Sequence, residues 1–407
     1  MTTHYSAPRA VSPAVERRPT RVLRPQRAHP ESVVRPTRAE INLAHLRHNL
    51  RVVRRAAGEA QVWSVLKADG YGHGSKAVAR TLERAGVDGV CVALLEEGIE
   101  LRDAGIRVPI LVMGGHYGRA LDELLHHQLT PVLHDAGQVE ALAEEVRFTG
   151  VPRVDVHLKV DTGMGRLGAT PEEVGRLGRA LRDHPEVRLT GLMTHFACAD
   201  SAGRTAVTAQ LEVFDQVTGE LKAMGIVPRV RHAANSAAML RVPKARLDLV
   251  RPGIALFGVE PVVGCAPDLR PAMRIRTQVI AMRTLHAGQS TGYGSTWTAR
   301  RDSQIATIPM GYADGLSRAL SNRGQVLIHG RRAPIVGVVS MDMAMIDVTD
   351  LDEVRIGDEC VVLGHQRGHA GEDTITAGEI ASQLGTIAWE VLTSVSRRVP
   401  RFYREPC

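Results

Sequence analysis

Aromatic side chains make up only 3% of this 407-residue chain. No run approaches the roughly 20 consecutive apolar residues that a membrane span needs, so no membrane partner is expected. The five cysteines (Cys91, Cys198, Cys265, Cys360 and Cys407) are odd in number, widely scattered and without CxxC spacing. They offer neither a disulfide framework nor a zinc site, so no metal is expected and a reducing cytoplasm fits best. Positive charge is also scarce once it is located. Residues 1–38 hold eight Arg, no Lys and two Glu, which is +6 of the net +7, leaving about +1 for the rest. That segment carries six Pro and no sustained apolar period, the composition of a disordered basic tail. It lacks the apolar core of a secretory signal. An organelle transit peptide is the less favoured alternative to a solvated extension. The tail has no interleaved aromatics, so no nucleic-acid partner is expected. Its removal, residues 1–38, is expected to leave activity intact.

What is present is regular. Apolar residues at 44% and charged residues at 23% describe an ordinary globular protein. The length suits one large domain and a smaller one. Asn42 can cap a helix whose Leu43, Leu46, Leu50 and Val53 recur at spacings of three and four. Short apolar runs then alternate with helical segments. Strands are predicted at Val62–Lys67, Gly89–Leu94, Pro109–Met113, Thr130–Leu133, Asp155–Val160, Leu189–His195, Val230–Ala234 and Ile254–Gly258. Helices are predicted between them, among them Lys76–Ala85, Gly118–His127, Gln138–Val146, Pro171–Asp183 and Thr205–Met224. Eight strands with about seven helices is the count of a (β/α)8 TIM-type barrel, expected over residues 39–270. Lys67, Lys159, His195, Asn235 and Arg251 fall near predicted strand ends, which a barrel gathers at one mouth. From Pro271 the pattern turns to β-branched runs broken by Gly, Asp and Asn, with one helical stretch near Ala377–Trp389. A mostly β domain is expected over residues 271–407.

A lysine that ends an apolar strand can lose hydration, which lowers its pKa and frees the amine for a Schiff base. Lys67 stands in Val65-Leu66-Lys67-Ala68-Asp69-Gly70-Tyr71-Gly72-His73-Gly74. A lone lysine in this position is ordinarily a surface residue, but the decapeptide is far more specific. It resembles the cofactor-lysine motif of the alanine racemase family, and further stretches agree in order. These are His157-Leu158-Lys159-Val160-Asp161-Thr162-Gly163-Met164-Gly165-Arg166, Thr194-His195-Phe196, Asn235-Ser236-Ala237-Ala238, Val250-Arg251-Pro252-Gly253-Ile254, Gly292-Tyr293-Gly294, Gly311-Tyr312-Ala313-Asp314-Gly315 and Ser340-Met341-Asp342. The resemblance runs from about Glu40 to Tyr403.

The resemblance implies a racemase that interconverts L- and D-alanine on pyridoxal 5'-phosphate, working as a homodimer with shared active sites. Lys67 would carry the cofactor and act as one acid/base. Tyr293, contributed by the partner, would serve the opposite face of the substrate. Arg251 would face the pyridine nitrogen and His195 would pack against the ring. Tyr71, Ser236, Gly253 and Ile254 would hold the phosphate, at the usual barrel position for that group. Arg166 would bind the substrate carboxylate, with Met341 lining the pocket from the partner and Tyr312 narrowing the entrance. Lys159 would lie close to Arg166, and in some members of the family its counterpart is carbamylated. One departure concerns Trp389, which stands where the family usually has a tyrosine near the phosphate. It leaves a serine or broad-specificity racemase open. A decarboxylase of similar architecture and a non-catalytic pyridoxal-phosphate carrier are more distant alternatives.

Overall fold

The computed structural model describes residues 34–115, 120–201 and 205–405. Most of the basic extension, residues 1–33, lies outside them, as do Cys407 and the first residues predicted for the Gly118–His127 helix. The tail boundary expected after residue 38 is corrected by residues 35–38. Arg35 forks onto Asp314, and Thr37 is buried. The Thr37 hydroxyl donates to the Pro309 carbonyl at 2.7 Å and pairs with the Thr277 hydroxyl at 2.9 Å. These groups take their hydrogen bonds from the fold rather than from water, which an Arg- and Pro-rich composition does not announce.

Strand β1 (Arg38–Asn42) passes directly into helix α1 (Leu43–Ala57). Asn42 accepts a hydrogen bond from the His45 N–H at 3.1 Å, satisfying a donor that a helix start otherwise leaves free. Leu46, Leu50, Val53 and Ala57 form its buried stripe. Parallel strands follow: β2 (Gln61–Val65), β3 (Gly89–Val92), β4 (Ile110–Val112), β5 (Thr130–Leu133), β6 (Val154–Lys159), β7 (Val187–Met193), β8 (Val230–His232) and β9 (Leu249–Val250). They pair in chain order from β2 to β8, and β9 returns beside β2. Backbone bonds from Asp248 N–H to Arg231 C=O (3.1 Å) and from Arg251 N–H to Ala234 C=O (2.9 Å) join β8 to β9 and close the ring. The expected barrel therefore forms. Its last strand is corrected: Leu249–Val250 takes that place, and Ile254–Phe257 is a short 3-10 helix. All four residues of that helix are buried, and a short apolar run reads equally well as strand or helix.

The second domain is built from β10 (Met273–Gln278), β11 (Ala281–Leu285), β12 (Ser290–Thr291), β13 (Trp297–Thr298), β14 (Ser303–Ile308), β15 (Gln325–Ile328), β16 (Arg331–Val336), β17 (Ala344–Asp347), β18 (Glu359–Gly368), β19 (Gly371–Ile375) and β20 (Arg401–Arg404). Its main sheet runs β11-β14-β17-β16-β15-β18-β10-β1-β20. Strand β1 pairs antiparallel with β10 and parallel with β20, so the chain enters the second domain, builds the barrel and returns. The helical stretch expected near residues 377–389 is two short helices, Ala377–Leu384 and Ala388–Thr393, parted at the left-handed Gly385. No helix among the described residues is long and apolar enough to cross a membrane.

Candidate active site

Strand β2 delivers Lys67 to the barrel mouth, and the backbone there takes an unusual path. Ala68, Asp69, Gly70 and Tyr71 all have positive φ (52°, 55°, 61° and 52°), one turn of left-handed helix. For the three non-glycine residues this costs about 1–2 kcal/mol each. Surrounding groups hold it: Glu97 accepts from the Ala68 N–H (2.6 Å), Asp69 Oδ1 from the Ser75 N–H (2.8 Å), and the Gly72 carbonyl from Arg401 Nε (2.9 Å). The turn sends Lys67 and Tyr71 toward the same cavity, as strained backbone at functional sites commonly does.

That cavity has a volume of about 150 Å³, and Lys67, Tyr71, His195, Ser236, Arg251, Gly253, Ile254 and Trp389 line it. The barrel mouth thus gathers every expected cofactor residue. The Tyr71 hydroxyl lies so close to Gly253 that a Cβ there would sit 2.2 Å from it; only glycine allows this approach. Ser236 Oγ accepts from the Gly253 N–H at 2.9 Å, while the Ile254 N–H has no hydrogen bond among the described residues. Two hydroxyls and an unengaged N–H suit a phosphate, and a lysine amine with lowered basicity suits an aldehyde. The donor set therefore fits pyridoxal phosphate. A larger groove, about 1010 Å³, runs between the domains past Glu40, Phe257 and Ile375 but contains neither Lys67 nor Arg251.

Electrostatics at the mouth are dominated by cations. Loss of hydration and then the Arg166 charge hold the Lys67 amine below the ordinary lysine range, against an opposing pull from Glu97. Lys159, buried, is brought down to about 8, first by burial and then by Arg166 and Arg251, with Asp161 opposing and Lys67 adding to the fall. His195 is pushed to about 3, by burial first and then by Arg251, Lys159, Arg166 and Lys67. It is a neutral ring at physiological pH and can pack against an aromatic group without adding charge. Arg251 is buried and lowered to about 10 by that burial, so it keeps its charge. Its Nη2 donates to the carbonyls of Thr194 (2.7 Å) and Ala233 (3.1 Å), and its Nη1 meets His232 Nδ1 at 2.5 Å. No described residue engages its Nε.

Arg166 is exposed at the end of a turn that Asp161 organises. The Asp161 carboxylate accepts N–H bonds from Gly163, Met164 and Gly165 (2.9, 2.8 and 2.8 Å). Desolvation works against its charge, but these backbone donors, with that of Arg166, hold it below the usual range. The residues expected from a partner stand elsewhere. Tyr293, Met341 and Tyr312 are 74%, 51% and 42% exposed, and none lines the cavity of its own chain. The turns of Tyr312 and Met341 are joined by backbone bonds from Tyr312 N–H to Ser340 C=O and Ala313 N–H to Met341 C=O, both 3.0 Å.

Sequence inspection misses three positioning groups. Glu97 ties the Lys67 turn to the end of β3, also accepting from the Ala93 and Leu94 N–H groups. A glutamate three residues into a helix after a strand was the available signal. Gln210 bonds the Thr162 hydroxyl (3.1 Å), the His195 carbonyl (3.2 Å) and the Ala197 N–H (3.0 Å), linking two barrel loops from a helix far along the chain. His157 meets His232 at 2.9 Å and extends the chain of contacts behind Arg251. Nothing local in the sequence marks Gln210, and His157, though part of a family-like stretch, gives no sign there of its contact with His232.

Comparison with known proteins agrees with this geometry. Residues 41–261 match the family described as alanine racemase, N-terminal domain, and residues 272–403 match alanine racemase, C-terminal domain. The chain is 61% identical to an alanine racemase of Sorangium cellulosum, covering 92% of this chain and all of that one. It is 46% identical to another from Symbiobacterium thermophilum, over 91% of this chain and 97% of that one. Among solved structures, alanine racemase from a D-cycloserine-producing Streptomyces lavendulae superposes with a TM-score of 0.86 at 33% identity, covering 92% and 99% of the two chains. The enzyme from Bacillus anthracis with bound L-Ala-P gives 0.85 at 32% identity, covering 91% and 96%.

Proposed function

The chain belongs to the alanine racemase family, and from that membership we propose a pyridoxal-phosphate-dependent isomerase that interconverts L- and D-alanine by two-base proton exchange. The observation that carries it is a lysine of lowered basicity beside a phosphate-sized donor set and a buried arginine in one barrel mouth. Lys67 holds the cofactor through its amine. Tyr71, Ser236 and the Ile254 N–H would receive the phosphate beside Gly253, whose own N–H is held by Ser236, while His195 would pack against the ring and Trp389 form the neighbouring wall. When bound, pyridoxal phosphate supplies the electron withdrawal that acidifies the α-hydrogen of an attached amino acid. Arg251, whose Nε has no partner among the described residues, would face the ring nitrogen. A guanidinium anchored on two carbonyls and His232 keeps its own protons and opposes protonation of that nitrogen, which limits side reactions.

Lys67 Nζ takes or returns the α-proton on one face of the substrate, and Tyr293 Oη of the partner subunit does so on the other. Arg166 binds the substrate carboxylate. We infer that Lys159 works as its carbamate: the neutral amine adds to carbon dioxide and releases one proton, giving an anion to face Arg166. Its lowered pKa and its cationic surroundings support this. A carbamate carbon signal from 13C-bicarbonate that survives Lys159→Ala would overturn it. The exposed Tyr293, Tyr312 and Met341 support a homodimer in which each copy completes the other's site. The four described cysteines, all unpaired, support a cytoplasmic location.

The test is chiral chromatography after incubating the holoenzyme with L-alanine, L-serine and larger L-amino acids. Predominant D-alanine is expected. Predominant D-serine or a broad product set would move the substrate assignment, with Trp389 as the first residue to examine. No D-product from cofactor-loaded protein would refute the racemase in favour of a decarboxylase or carrier.

A further inference from the structure

Arg35 enters the fold beside the turns that carry Tyr312 and Met341. Its guanidinium makes two bonds to Asp314, Nη1 to Oδ2 at 3.0 Å and Nη2 to Oδ1 at 2.7 Å. The Asp314 side chain is wholly buried, whereas Arg35 retains 27% exposure. Asp314 Oδ2 also accepts from the Gly311 N–H at 3.1 Å, which closes the Tyr312 turn. The Asp314 carbonyl accepts from the Ser396 N–H at 3.1 Å. Arg398 continues the pattern: its Nε lies 3.5 Å from Asp314 Oδ1 and its Nη2 donates to Asp342 at 2.7 Å. Asp342 directly follows Met341. Four charges of alternating sign, Arg35, Asp314, Arg398 and Asp342, therefore run from the chain's entry point to both turns.

The backbone contact between those turns leaves no slack. A Cβ at Gly311 would meet the Ser340 carbonyl oxygen at 2.3 Å and the Met341 carbonyl at 2.4 Å, so displacement of one turn is transmitted to the other. Thr37 fixes the same segment from below through Pro309. A buried carboxylate needs its partner, and only a planar fork can satisfy both oxygens at once. Without Arg35, Asp314 would keep one N–H and a half-exposed Arg398, and the turns would relax.

We propose that Arg35 is a positioning residue acting across the dimer: by holding Asp314 it sets Tyr312 and Met341 for the site of the partner subunit. This rests on the shared-site reading given above. Loss of the fork should lower kcat/KM roughly 10- to 100-fold, chiefly through KM, because small displacements of pocket walls have effects of that size. Cofactor absorbance, owned by the barrel mouth, should stay as in the wild type. Arg35→Lys, which keeps the charge and loses the fork, should recover part of the activity.

The decisive test mixes two variants in one dimer, using differently tagged chains purified as the heterodimer. A dimer of Lys67→Ala with Arg35→Ala contains one site that joins an intact Lys67 to turns held by an intact Arg35. It should show about half the wild-type activity with wild-type KM. Activity no higher than half that of Arg35→Ala, with its raised KM, would overturn the proposal, since Arg35 would then serve its own chain or the fold at large. A control dimer of Lys67→Ala with Tyr293→Phe separates the two levels. If it also stays inactive, the shared site fails and Arg35 falls with it. If it recovers while the Arg35 dimer does not, the Arg35 role alone is refuted. Should Arg35→Ala not fold, Asp314→Asn preserves size and hydrogen bonding, and the same outcomes apply.

Discussion

At the barrel mouth Arg251 is 2% exposed and is held by the Thr194 and Ala233 carbonyls and by His232. At the rim of the second domain Tyr293 is 74% exposed, with Met341 and Tyr312 also presented to solvent. The first region is preorganised within one copy. It has a strained turn and a buried guanidinium held by hydrogen bonds, and neutral histidines beside them. The second has turns joined by backbone hydrogen bonds but leaves its large side chains substantially exposed. In a chain with so few aromatics, exposed tyrosines on tightly bonded turns mark a surface built for another molecule. The contrast locates function at a junction. On the reading proposed above, one half would fix the cofactor, the other would supply what one copy cannot bring to its own site, and the ion-pair chain from Arg35 would anchor that second half.

The largest expected effect strikes the barrel half alone. Lys67→Ala should abolish racemisation and the visible absorbance of covalently held cofactor while leaving the dimer in sedimentation unchanged. Covalent cofactor retained by this variant would break the assignment. The next effect falls on the rim. Deleting residues 1–33 should change neither activity nor Tm, whereas deleting residues 1–38 should destabilise the protein by roughly 3 kcal/mol or more. The longer deletion leaves the buried Asp314 carboxylate without its fork and removes the buried Thr37. Equal melting temperatures for the two truncations would show that the entering segment holds nothing in place.

A smaller and more graded effect separates the halves by pH. In the barrel His73 is lowered to about 4, by burial foremost, and His157 and His195 to about 3. Each is neutral in the fold but takes a proton in the unfolded chain below its ordinary value near 6.5. Unfolded protein therefore binds more protons as pH falls, and stability present above pH 6.5 is lost on the way toward pH 3–4. At pH 5 the loss is on the order of 2 kcal/mol per histidine. Tm should decline between pH 7 and 5, and His73→Asn should flatten that slope if it folds. A Tm that holds level over this interval would contradict the neutral-histidine account.

Much of this was legible in the sequence because local chemistry and periodicity agreed. Asn42 is a cap where its spacing predicts one, β5 keeps its predicted bounds, and the residues expected to hold the cofactor lie at or just beyond strand ends that a barrel must bring together. What was hidden has physical reasons. The eighth strand is two residues long, too short for any period, and the buried Ile254–Phe257 run beside it imitates a strand. Strand β1 looks like the start of the barrel because its partners, β10 and β20, lie more than 230 residues away. Arg35 sits among arginines of a Pro-rich segment, and only Asp314, on the far side of the chain, distinguishes it. Gln210 and His232 likewise act through contacts that sequence distance conceals.

The most direct test of a site split between two faces and two chains is α-hydrogen exchange followed by proton NMR in deuterium oxide. Tyr293→Phe holoenzyme would be given L-alanine and D-alanine separately. One enantiomer should lose its α-proton signal with configuration retained, because Lys67 still serves that face, while the other should stay unexchanged. Equal exchange of both enantiomers, or racemisation at a near-normal rate, would contradict the two-base account.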